Sequence, residues 1–144
     1  MAATYVGYYK GTEMMLEAGN AATDSWRLAL SNTAPNVAND TTLASATELS
    51  TSGGYTAGGV VCTVTSSAQT AGVYKLTLAA PPSPTWTASG AGFTFKYVLL
   101  YNLTNTQLVA YWDYGASQAM NGTNGDTFTP TLDAINGTFT ITTP

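Results

Sequence analysis

The 144-residue chain contains no histidine and only one cysteine, and charged residues make up 8% of it, against roughly 25% in an average globular domain. Each shortage excludes something. Without histidine, the commonest general base and metal ligand is gone. No Ser-His or Cys-His nucleophile pair can be assembled, and zinc sites of the usual His/Cys kind are ruled out. A lone Cys62 allows no internal disulfide. The four basic residues, Lys10, Arg27, Lys75 and Lys96, are scattered along the chain, whereas a nucleic-acid footprint needs them clustered. No apolar run approaches the roughly 20 residues of a membrane-spanning helix. The opening "MAATYVGYYKGTEMM" has neither the basic start nor the apolar block of a signal peptide, so synthesis in the cytoplasm is expected. Four Asn-x-Thr triplets, at Asn39, Asn102, Asn121 and Asn136, read as chance in such an Asn/Thr-rich chain.

What is present is threonine, nearly one residue in five, together with valine, tyrosine, asparagine and glycine. Threonine is stiff at its first side-chain torsion and sits well on a pleated surface. Apolar content is 44% and net charge −4, so the composition is not that of a disordered chain, and the length fits one domain with a core of its own. Few charges also mean a weakly hydrated surface, suited to being covered by partners.

The only helix-like patch is "TEMMLEAGN", with Thr12 as a cap, Glu13 at the positive end and Gly19 as a stop. At barely two turns it needs something to dock on, its own sheet or a neighbour in an oligomer. Residues 1–24 therefore read as an N-terminal arm with a short helix, and residues 25–144 as a β domain. "WRLALS" alternates Trp26, Leu28 and Leu30 with Arg27, Ala29 and Ser31, a half-buried strand. Thr33 to Gly59 is a long loop punctuated by Pro, Asn and Gly, with Leu43, Ala46 and Leu49 as anchors. "VVCTVTS" and "GVYKLTLA" form a hairpin, "PPSPT" breaks the pattern, and "DTFTPTLD" and "GTFTITTP" close the chain. About eight strands with frequent turns and no helical crossovers suggest an all-β single domain, a sandwich, jelly roll or barrel.

The central feature is "FKYVLLYNLTNTQLVAYWDYG". Strict alternation puts Phe93, Phe95, Tyr97, Leu99 and Tyr101 on one face, and Thr94, Lys96, Val98 and Leu100 on the other. In the second run Leu108, Ala110, Trp112 and Tyr114 alternate with Val109, Tyr111 and Asp113. Both faces are largely apolar. Three uses are open: core buried on both sides, a subunit contact, or a sugar-stacking platform. The carboxylates Asp113, Asp126 and Asp133 lie at turns or strand ends, where Asp commonly serves the backbone, rather than as the facing pair that glycoside hydrolysis needs. "NGTNGD" reads as a turn, since it lacks the acidic density of a calcium loop. Cys62 reads as a small buried hydrophobe. No enzyme activity, cofactor or metal is expected.

The segments "LALSNTAP", "GGYTAGG", "TSSAQTAGVYKLTLA", "FKYVLLYN", "LVAYWDYG", "NGDTFT" and "NGTFTIT" together resemble small tailed-bacteriophage virion proteins of the capsid decoration, or cement, type. The likeness runs from Trp26 to the C-terminus and carries no catalytic signature. It implies a single-domain β-sandwich of the jelly-roll kind, a homotrimer, a location on the capsid surface and the major capsid protein as partner. The alternative it leaves is a tail or fibre component binding host-surface glycans through Trp86, Tyr55 or Tyr111. The interface candidates are Tyr5, Tyr8, Tyr9, Met14, Met15 and Leu16 of the arm, and Val98, Leu100, Val109 and Tyr111 of the hairpin.

Overall fold

A computed structural model describes residues 3–79 and 81–142. In chain order the elements are β1 (Thr4–Gly7), α1 (Tyr9–Glu17), β2 (Trp26–Ser31), β3 (Val60–Thr70), β4 (Val73–Ala79), β5 (Trp86–Thr87), β6 (Phe93–Asn102), β7 (Gln107–Met120), β8 (Thr127–Phe128) and β9 (Phe139–Thr142). Seven strands form one antiparallel sheet in the order β1-β7-β6-β2-β3-β4-β9, and β5 pairs with β8. The fold is all-β and a single domain. The layering comes from one sheet curling over itself. β3 makes the bend, pairing with β2 over Val60–Cys62 and with β4 from Thr63 onward.

The curl creates two apolar clusters. On the inner face Trp26, Leu28 and Leu30 of β2 meet Cys62 of β3, Leu76 and Leu78 of β4, Phe93, Phe95, Val98 and Leu100 of β6, and Val109 and Ala110 of β7. The short β5–β8 pair adds Trp86, stacked on Phe128 at 5.7 Å between ring centroids. On the outer face Ala29, Tyr97, Leu99, Tyr101 and Leu108 lie under the 33–59 loop, held by Ala46, with Val37 and Leu43 beside them. Fully burying a large apolar side chain contributes about 1.5–3 kcal/mol, so both clusters matter to the fold.

The face assignment from strict alternation is wrong in β6, for a local reason. Phe95 pairs with Gln118 but Tyr97 with Asp113, so the ladder slips between them. A slip in register exchanges the faces that follow. Phe93 and Phe95 therefore point inward, while Tyr97, Leu99 and Tyr101 point outward. A second slip between Leu100 and Tyr101 turns both Val109 and Ala110 of β7 inward.

The N-terminal arm is no separate unit. β1 pairs with β7 from Thr4↔Asp113 to Gly7↔Ala110, and α1 lies against β7. Gly11 makes that approach possible, because a Cβ there would stand 2.5 Å from the Leu108 carbonyl oxygen. Met14 and Met15 reach the inner cluster. The helix starts four residues earlier than the Thr12 cap implied. Tyr8 occupies the cap position with no side-chain bond, because docking on β7 outweighs a capping hydroxyl. Its end is as expected, with the Gly19 N–H donating to the Met14 carbonyl at 2.7 Å. β3 also runs further than "VVCTVTS", to Thr70, and reaches β4 through a two-residue turn at Ala71 and Gly72, both at positive φ.

Candidate functional site

Ten interface candidates came from the sequence. Tyr8, Met14, Met15, Val98, Leu100 and Val109 are buried within their own chain, so they have no surface to give a partner. Val98, Leu100 and Val109 lie in the inner cluster, and the outer face of the hairpin, with Tyr97, Leu99 and Tyr101, is covered by the chain's own 33–59 loop. Tyr111 is half-buried, edge-on to Tyr8 and Tyr97 at 5.7 and 5.9 Å. Tyr5, Tyr9 and Leu16 remain exposed. Tyr9 and Leu16, seven residues apart, share the outward stripe of α1.

The glycan reading loses two of its three named aromatics. Trp86 and Tyr55 are 4% and 1% exposed and belong to the inner core. Tyr55 instead fastens the covering loop. Its hydroxyl donates to Glu48 Oε1 and accepts from the Leu30 N–H at 3.1 Å. The same Glu48 oxygen accepts from the Gly58 N–H at 2.6 Å. The Gly58 carbonyl in turn accepts from Arg27 Nη1 at 3.1 Å and from the Tyr101 hydroxyl at 2.7 Å. Burial and the Glu48 bond push the Tyr55 phenol far above its ordinary pKa. At the loop's other end the Ser31 hydroxyl donates to the Thr47 carbonyl at 2.9 Å.

Each candidate carboxylate works locally. Asp113 Oδ1 accepts from the Gly115 N–H at 2.7 Å and lies 3.9 Å from Lys96. Asp126 Oδ2 accepts from the Asn121 N–H at 2.9 Å, closing the "NGTNGD" turn. Asp133 accepts from the N–H groups of Asn136 and Ile135 and from the Asn136 side chain. Those bonds, led by Asn136, hold its carboxyl below the ordinary value. Among the described residues no group of three His, Cys, Asp or Glu side chains is placed to hold a metal ion. Cys62 sits in the core, and burial pushes its thiol up to about 12.

The structure brings out apolar side chains that alternation did not single out. Val61 on β3 is 54% exposed, Leu103 in the β6–β7 turn 39%, and Ile135 83%. Ile135 tips the turn that Asp133 organises, and Lys75 Nζ donates to its carbonyl at 3.2 Å. The sequence does hold a signal for it, an isoleucine inside "DAING", where turn residues surround an apolar one. Leu103 borders a small apolar cleft of about 260 Å³ lined by Thr42, Leu43, Ala44, Tyr101 and Thr106. No family model, characterised protein or solved structure matches the chain.

Proposed function

We propose that the chain is a structural subunit of an assembly, and specifically a bacteriophage virion protein of the capsid decoration type. On this reading it sits on the head shell as a homotrimer against the major capsid protein and stabilises the shell through repeated contacts. The observation that carries the reading is a set of large apolar side chains (Tyr5, Tyr9, Leu16, Val61, Leu103 and Ile135) left exposed on a chain with few charges to keep copies apart. Rigid β frames suit such a role. When the same contact recurs around a symmetry axis, small free energies combine through effective concentration.

The attachment surface on this reading is the outward stripe of α1, since the rest of the arm is built into the sheet. The deciding experiment measures copy number in purified particles against the major capsid protein. Hundreds of copies per particle fit decoration, whereas a dozen or fewer place the protein in the tail. Tyr9→Ser with Leu16→Ser, which leaves the core untouched, is expected to lower occupancy. Full occupancy by that double variant would remove α1 from the attachment surface.

A further inference from the structure

The curled sheet has an odd number of strands, and its two ends show what is missing. Every neighbouring pair, from β1 through β7, β6, β2, β3 and β4 to β9, is antiparallel. Direction therefore alternates along the seven strands, and the end strands β1 and β9 run the same way. They cannot continue the antiparallel ladder by pairing with each other. One further strand, running opposite to both, would continue it from each side. Eight is a common strand number for a closed antiparallel barrel.

The two ends do approach each other. A groove of about 480 Å³ has Tyr5 and Gly7 of β1 on one side and Thr138, Phe139 and Thr140 on the other, with Thr12 of α1 at its border. Among the described residues neither Thr4–Gly7 nor Phe139–Thr142 makes a main-chain hydrogen bond outside its one ladder. The outward N–H and C=O groups of both edges are thus unmet by the chain. Apolar surface is left at the same place. Trp112 of β7 and Phe139 pack on the inner cluster but stay half-buried, and Tyr5, edge-on to Trp112 at 5.4 Å, is 43% exposed. All three line the groove. A strand in the seam would lay every second side chain on them and turn the others to solvent. Extended backbone satisfies both rows of edge groups, whereas a compact small molecule leaves most of them unmet.

We infer that the seam between β1 and β9 receives an extended segment of a partner protein, antiparallel to both edges and apolar at alternate positions. Each edge is four residues long, which sets the length of the segment. A second copy has no such segment to give. Among the described residues every strand is already paired in a sheet, and the long 33–59 loop is fastened to β2 and β6 through Leu30, Ser31 and Tyr101. The inference deepens the assembly reading by stating what the partner presents, and rests on it only in that a partner exists. Particle occupancy tests shell decoration separately, so either idea can fail alone.

The test titrates the isotope-labelled full chain with a synthetic probe, acetyl-Thr-Val-Thr-Val-Thr-amide, and follows the backbone amides by NMR. The probe's valines suit the apolar floor and its threonines the solvent side. Saturable shifts are expected in both Thr4–Gly7 and Phe139–Thr142, with a dissociation constant below about 1 mM. Amide exchange at both edges is expected to slow at least about tenfold at saturation. The same peptide with proline as its central residue lacks a donor there and is expected to bind at least about tenfold more weakly. No saturation by about 5 mM, shifts confined to one edge or lying elsewhere, or equal binding of the proline peptide would each overturn the inference. Shifts at both edges that grow with protein concentration alone, without peptide, would overturn it in favour of a second copy.

Discussion

Two tyrosines with similar burial make different uses of their hydroxyls. The Tyr8 hydroxyl is buried with no hydrogen-bond partner among the described residues, beneath the loop and edge-on to Tyr111, and burial raises its pKa far above the ordinary value. A buried hydroxyl without a partner has given up its water for nothing, at a cost of about 1–3 kcal/mol. Tyr8→Phe keeps the ring and is expected to leave the thermal midpoint unchanged or raised. A fall would mean the hydroxyl has a partner in solution. The Tyr55 hydroxyl bonds Glu48 and the Leu30 N–H, so Tyr55→Phe strands both and is expected to cost about 1–3 kcal/mol in denaturant unfolding. Cys62 shows a third behaviour. Its thiol, pushed up to about 12, is expected to ignore a thiol reagent at pH 7 in the native protein and to react on unfolding. Because the folded pKa lies above the unfolded value near 9, the folded state holds the proton longer. That contribution to stability is whole below pH 9 and is lost as pH rises towards 12, so Cys62→Ala is expected to flatten the stability curve in that window.

The elements show where patterning is informative and where it stops. β2 keeps the expected alternation, with Trp26, Leu28 and Leu30 on the inner face, but it is not half-buried, because Ala29 and Ser31 on the other face are covered as well. The anchors Leu43, Ala46 and Leu49 of the long loop do contact the two clusters. The faces of β6 were not legible, because a slip of register at Phe95–Tyr97 depends on the partner strand and leaves no mark in the alternation of β6 itself. The same limit hid the site. Whether Leu99 meets its own chain or a partner is decided by where a distant loop lies, and that loop is held across the sheet by bonds that Glu48 accepts and Ser31 donates. The N-terminal arm follows this logic too. As β1 covers one edge of β7 and α1 supplies Met14 and Met15 to the core, removing residues 1–20 is expected to lower stability and promote aggregation through the uncovered strand, not to release a folded body. A truncated chain with an unchanged unfolding midpoint would show the arm to be dispensable. Gly11→Ala tests the same contact at one atom. A Cβ 2.5 Å from a backbone oxygen must push the helix away from β7, at about 1–3 kcal/mol.

For the whole molecule the scarcity of charge sets how copies behave towards one another. Only two ion pairs occur among the described residues, Lys10–Glu13 and Lys96–Asp113, both at the surface. Pairs of that kind contribute little and are screened by salt. Folding stability is therefore expected to vary little with ionic strength. Association should respond to charge differently. At pH 7 each copy carries a net charge of −4, and the sequence pI is about 4.2, so repulsion between copies fades as the carboxylates protonate. Lowering the pH from 7 towards the pI of about 4.2 is thus expected to promote self-association, with the change falling below about pH 5, where ordinary carboxylates begin to protonate. Sedimentation velocity at fixed concentration checks this. The mass average should stay level from pH 7 to about 5 and rise below it, and a mass average that stays level down to the pI would show that net charge is not what keeps copies apart.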